Sequence, residues 1–180
     1  MSQQAIETTA PKTPWQILGL DANGPFPGLE EKLALFGQFV GDWDILEDRY
    51  LNDDGTWGVE KGAIHWRWIL EGRGMQDTFT TIDEKTGKET PWGTTVRIYD
   101  PKIEAWRSTW NSPQQGAVKT FIGRKVGDEI VLERKTEEGF LSHWVFYEIM
   151  SNSFRWRSEE SRDEGKTWTI RELMRIRRQQ

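Results

Sequence analysis

The sequence contains no cysteine, which excludes disulfides, thiolate metal sites and a cysteine nucleophile. Histidine is nearly absent too: His65 and His143 are the only 2, and no compact acidic cluster accompanies them, so a metal centre is not expected. No run of about 18 apolar residues occurs, which removes a membrane-spanning helix. The N-terminus has neither the basic start nor the apolar stretch of a secretory signal, and the cytoplasm is the expected compartment. No serine sits in a nucleophile elbow and no glycine-rich phosphate loop is present. Basic charge is short as well. Lys and Arg number 24 against 29 Asp and Glu, a net charge of -5, which gives nucleic acid and anionic lipid no electrostatic attraction.

What is abundant is tryptophan. There are 11 Trp beside 8 Phe and 3 Tyr, although hydrophobic residues make up only 36% of the chain. Much of the apolar volume therefore sits in a few large rings, which favour strands and fill broad interiors. A chain of 180 residues suits one domain that buries roughly 70% of its extended surface.

Residues 1–28 read as an N-terminal arm, polar at first and then rich in Pro and Gly from Asp21 to Gly28. Trp15, Ile17, Leu18, Leu20 and Phe26 are its expected anchors. From Leu29 to Val40, the residues Leu29, Leu33, Phe36 and Val40 recur at three- and four-residue steps. That spacing predicts one amphipathic helix, ended by Gly37 or Gly41 and able to cap an open barrel. Beyond Asp42 the pattern is strands and turns, with strands predicted at 42–51, 57–70, 73–82, 93–100, 104–111, 116–126, 129–136, 141–150, 153–160 and 167–177. Turn chemistry separates them, as in Asn52-Asp53-Asp54-Gly55, Asp100-Pro101 and Asp163-Glu164-Gly165. Residues 29–180 are thus expected to form an all-β antiparallel barrel of about ten strands with a short N-terminal helix, since closure removes both sheet edges.

Alternation sorts side chains onto two faces. Ile64, Trp66, Trp68 and Leu70 share one face of their strand, and His65 and Arg67 lie on the other. Trp144, Phe146 and Glu148 fall together, as do Trp168, Ile170, Glu172, Met174 and Ile176. Glu148 and Glu172 are therefore expected on apolar faces, where a carboxylate needs a partner.

The stretch Leu35-Phe36-Gly37-Gln38-Phe39-Val40-Gly41-Asp42-Trp43 resembles the helix-to-first-strand signature of lipocalin-like, or calycin-type, proteins. Leu70-Glu71-Gly72-Arg73, Ile98-Tyr99-Asp100-Pro101, Trp106-Arg107-Ser108-Thr109-Trp110, Ser153-Phe154-Arg155-Trp156 and Asp163 to Trp168 extend the likeness. Together they resemble a bacterial family of largely uncharacterised lipocalin-like proteins over roughly residues 33–177. The resemblance implies an antiparallel barrel with a helix near one mouth, but no shared reaction or catalytic set. Related haem-binding barrels use a histidine late in the chain. Residues 151–180 contain none, which argues against haem, and no cofactor is expected.

Three functions remain open. In the first, the barrel binds a small hydrophobic or aromatic molecule between Trp66, Trp68, Trp110, Trp144 and Trp156, whose rings stack and whose indole nitrogens anchor. Arg67, Arg73, Arg97 and Arg107 all lie in strand segments with aromatic neighbours, and inward arginines would hold an anionic oxygen there. Arg97 and Glu172 belong to this expected binding set; an internal salt bridge is their structural alternative. In the second, the cavity is a cofactor-independent enzyme for proton transfer, isomerisation, dehydration or cyclisation. His65, His143 or Glu148 would move the proton, and Arg67 or Arg107 would stabilise developing charge. In the third, the barrel is filled and associates, as a homodimer for example, through rim aromatics such as Trp57 and Trp92.

Overall fold

Segments that alternate large apolar and polar side chains can bury their apolar faces only against one another. The computed structural model, which describes residues 22–180, meets that demand with ten antiparallel strands closed into a barrel. A helix, α1 (Glu30–Gly37), precedes them. The strands are β1 (Gly41–Leu51), β2 (Trp57–Ile69), β3 (Gly74–Ile82), β4 (Glu89–Asp100), β5 (Ala105–Ser112), β6 (Ala117–Val126), β7 (Glu129–Lys135), β8 (Leu141–Tyr147), β9 (Ser153–Ser161) and β10 (Thr169–Arg178). Each strand pairs with its neighbours in sequence, and β1 closes the ring on β10. The expected fold class is the observed one.

Three local departures change which side chains face inward. In β1 the pairing with β2 slips between Ile45 and Asp48. Trp43 and Ile45 point into the core, and after the bulge Asp48, rather than Glu47, is the buried residue. At the end of β2, Leu70 and Glu71 adopt left-handed backbone (φ 54 and 55) in a short 3-10 turn. Leu70 therefore leaves the inward face on which alternation placed it and is 45% exposed. At the end of β8, Glu148 is also left-handed, with φ 49. The strand stops at Tyr147 and Glu148 turns outward.

The base of the barrel is sealed by rings. Phe36 on α1 and Phe39 just after it are 0% and 1% exposed. Phe36 meets Trp106 edge-on at 5.0 Å, and Phe39 meets Phe154 at 4.8 Å and Phe146 at 5.2 Å. Trp43 completes the plug by donating its indole N–H to the Phe39 carbonyl at 2.7 Å. The Arg178 guanidinium lies 4.1 Å from the Trp43 ring centroid and donates to the Val40 and Gln38 carbonyls at 2.8 and 2.9 Å. Gly41, at φ +126, makes this approach possible, because a Cβ there would stand 2.6 Å from the guanidinium.

The expected arm anchors Trp15, Ile17, Leu18 and Leu20 lie outside the described residues. The later part of that segment packs on the turn between β2 and β3. The Phe26 amide donates to the Gly72 carbonyl at 3.0 Å, and the Arg73 guanidinium lies 3.5 Å from the Phe26 ring centroid. Outward faces of the strands carry ion pairs, among them Arg67–Asp42 and Arg175–Glu47, each contributing about 0–1 kcal/mol. Among the described residues, no helix is long and apolar enough to cross a membrane.

Removing the fully buried Phe36 ring leaves a hole in the plug. Phe36→Ala is expected to cost about 3–5 kcal/mol in urea unfolding. A loss below about 1 kcal/mol would mean that the helix does not seal the base.

Candidate functional site

Above the aromatic plug the barrel encloses a cavity of about 360 Å³, within the range of small-molecule sites. Its floor is set by register. Trp66 on β2 stands opposite Asp77 on β3, and Arg97 enters from β4. Arg97 and Asp77 are 2% and 4% exposed and form a hydrogen-bonded ion pair. The guanidinium also lies 4.3 Å from the Trp66 ring centroid, a cation–π contact strengthened by burial. Desolvation pushes the Asp77 carboxyl up and pulls the Arg97 guanidinium down, each opposed by the charge of its partner. The guanidinium nonetheless stays protonated, as arginine does in proteins.

Two donors at this floor are unspent. Arg97 Nε and Trp66 Nε1 are buried without a hydrogen-bond partner among the described residues. Leaving such a group unpaired costs about 1–3 kcal/mol each. Tryptophans form the wall above it, with Trp110–Trp144 centroids at 5.9 Å and Trp144–Trp156 at 5.4 Å, both edge-on.

The upper cavity is acidic. Asp48 is 5% exposed and lines the cavity beside Glu172, with Glu60 from β2 and Lys119 from β6. Tyr50 donates its hydroxyl to Glu60 at 3.0 Å. Desolvation pushes the Asp48 carboxyl up to about 7, with the Glu60 charge adding to it and a hydrogen bond with Glu172 opposing it. Glu172 is raised well above its ordinary value, first by desolvation and then by the Asp48 charge. Glu172 borders the cavity and is half-buried. Burial thus favours the protonated form of both carboxyls. Desolvation, aided by the Arg134 charge, lowers the Lys119 ammonium.

Of the residues singled out from sequence, Trp66, Arg97, Trp110, Trp144, Trp156 and Glu172 all border this cavity. Trp68 is buried below it against α1, its ring 2.9 Å from where a Gly37 Cβ would stand. The residues assigned to proton transfer do not converge there. His65 is on the outer face between Asp42 at 2.7 Å and Glu89 at 2.6 Å. Burial works to lower its pKa, but the two carboxylates outweigh that and raise it. Arg67 pairs with the same Asp42, and Arg107 with Asp100 at 2.7 Å, both outside the barrel. His143 stacks on Trp168 at 3.9 Å, with Glu133 3.0 Å from its Nε2. Glu148 pairs with Arg155 at 2.8 Å in the β8–β9 turn. Of the four arginines weighed together, Arg97 alone enters the lining; Arg73 pairs with Glu71. Alternation explains the outward positions of His65, Arg67, Arg107 and His143, each beside an inward tryptophan, whereas left-handed backbone turns Glu148 out.

Asp48, Asp77, Glu60 and Lys119 were not foreseen. Asp77 alternates with Met75 and Phe79, and Lys119 with Phe121, so both carried the signal of a polar residue on an apolar face. Asp48 carried none, since the bulge that turns it inward has no mark in the sequence.

A scan against protein-family models and a search of curated proteins gave no match. Sixteen chains of known structure match. One is the S-type phycobiliprotein lyase CPES from Guillardia theta, with a TM-score of 0.54 and 12% identity over 82% of this chain and 92% of that one. Another is Rv2717c from M. tuberculosis, with a TM-score of 0.54 and 12% identity over 83% of this chain and 98% of that one. At such identity the likeness shows the fold alone, a β-barrel of calycin-like architecture.

The carboxyl pair makes stability depend on pH. Asp48 binds its proton more tightly folded than unfolded, so its contribution is complete below about pH 4 and is lost as pH rises through about 7. The gap between its ordinary value of 3.8 and about 7 corresponds to at most about 4 kcal/mol. Asp48→Asn is therefore expected to gain stability relative to the parent as pH rises across this window in urea titrations. A constant difference between the two proteins would contradict the burial argument.

Proposed function

We propose that the protein binds a small, partly aromatic molecule inside its barrel, in the manner of lipocalin-like carriers. The observation that carries this reading is the pair of unspent donors, Arg97 Nε and Trp66 Nε1, at the floor of a tryptophan-walled cavity. A ligand carbonyl or similar acceptor would satisfy them while its ring system fills the space between Trp110, Trp144 and Trp156. A completely filled barrel, the third of the functions open from sequence, is disfavoured by a cavity of about 360 Å³.

Catalysis is the second reading, favoured by the burial of Asp48 at the edge of the same cavity, which pushes its carboxyl up to about 7. A group held there is suited to give and take protons. The acid–base role would then pass from His65, His143 and Glu148 to Asp48 and Glu172. One protein of similar fold is by name a phycobiliprotein lyase, so architecture by itself does not choose between binding and chemistry.

Acetonaphthone and ethylnaphthalene, matched in size but differing in the carbonyl, separate the floor contact from simple enclosure. Both are expected to bind and to quench tryptophan fluorescence. Trp66→Phe keeps a ring but removes the N–H, and is expected to weaken acetonaphthone about 5- to 10-fold with ethylnaphthalene unchanged. Substituting His65 or Arg67 by Ala is expected to leave both affinities alone. Failure of both probes to bind would refute the reading.

A further inference from the structure

The floor of the cavity asks for an acceptor, but the upper part asks for something else. The lining carries the carboxyls of Asp48, Glu60, Asp77 and Glu172 against the cations Arg97 and Lys119. Arg97 is already spent on Asp77. That leaves Asp48 and Glu172 inside, with the exposed Glu60 held by Tyr50 at the rim, against a single lysine. Asp48 Oδ1 has no hydrogen-bond partner among the described residues, although the side chain is 95% buried, being 5% exposed. An acceptor buried without a donor is costly, and Asp48 is one of the residues that line the cavity.

The groups around Asp48 come from several elements. Glu60 is its partner across the β1–β2 ladder, and Glu172 reaches it from β10. Lys119 of β6 acts on Glu172 from across the interior and is itself influenced by Arg134 and Glu160. The sum is an acidic pole, held apart from the floor. Trp66 and Glu60 are six residues apart on β2, which at about 3.3 Å per residue separates the two poles by about 20 Å along the strand.

We infer, building on the binding reading above, that the upper cavity is an ammonium site: the ligand class is a flat aromatic molecule carrying an alkyl amine. Its protonated nitrogen sits between Asp48 and Glu172 and displaces a proton from Asp48. The balance is simple. An ammonium enters, Asp48 gives up the proton that burial holds on it, and that proton leaves to solvent. The tryptophans beneath hold the ring system, and their electron-rich faces also favour a nearby cation. The Lys119 charge acts on Glu172, whereas the groups that act on Asp48 are Glu172 and Glu60.

Calorimetric titration with three probes sharing one ring system tests this: naphthylethylamine, ethylnaphthalene and naphthylacetate. At about pH 6, the amine is expected to bind at least about 10-fold more tightly than ethylnaphthalene and to release close to one proton, read from buffers of different ionisation enthalpy. The release should fade by about pH 9. Naphthylacetate should bind more weakly than either. Asp48→Asn and Glu172→Gln keep side-chain volume and remove charge. Each is expected to erase the preference for the amine while ethylnaphthalene binding persists, which also shows that the variants fold. Binding of ethylnaphthalene or naphthylacetate as tight as the amine, or amine binding without proton release at about pH 6, overturns the ammonium site but leaves the binding function standing. Absence of binding by all three probes overturns both.

Discussion

Phe36 and Phe39 stand inside the base of the barrel, where their rings meet Trp66, Trp106, Phe146 and Phe154 from four different strands. This stack closes one end and makes everything above it a blind cavity. It also fixes the environment of the floor. With Phe36 at 5.1 Å and Trp66 at 4.3 Å from its guanidinium, Arg97 has no route to solvent from below. Its charge can be met only by Asp77 and by whatever occupies the space above. The helix is short, at 8 residues, and would have little stability alone. It forms because Leu33 and Phe36 have a barrel to enter.

The charges inside the barrel follow from that closure. Ionisable groups in a core are tolerated when paired, and each one left over raises the energy of the folded state. The Arg97–Asp77 pair is the satisfied case. Asp48 and Glu172 are the unsatisfied case, relieved in the free protein by holding a proton that water would remove. Such an arrangement is hard to justify by stability alone, because apolar residues of similar size would pack as well. It is readily understood as a site kept ready for a partner. The outer surface uses charge differently. His65 between Asp42 and Glu89, and His143 against Glu133 and Trp168, tie neighbouring strands together in contact with water.

The barrel was legible in the sequence because each strand repeats with period two and each junction carries its own turn residues. The helix was legible from Leu33 and Phe36, and its role as a cap from the glycines after it. Six cavity residues were legible from the same period: Trp66 stands between His65 and Arg67, and Trp144 and Glu172 share strand parity with Phe146 and Met174. What failed were positions where the backbone breaks its own period. Leu70 and Glu148 were assigned inward by counting, and left-handed backbone at each turns them out. Asp48 was hidden by the bulge after Ile45. The histidines and Arg67 drew attention by their chemistry, although alternation beside Ile64, Trp66 and Trp68 already opposed an inward position. The existence of open space above the floor was not legible, because strand tilt and shear decide the interior volume of a barrel.

The space above the plug, about 360 Å³, is large enough to admit a small aromatic molecule. A crystal of the protein soaked with bromonaphthalene tests it most directly, because bromine can be located by its anomalous scattering without assumption about pose. Bromine density between Trp66 and the Trp110–Trp144–Trp156 wall is the result predicted. Bromine found only on the outer face of the barrel, with the interior tryptophans unmoved and the space above Arg97 unentered, would contradict it.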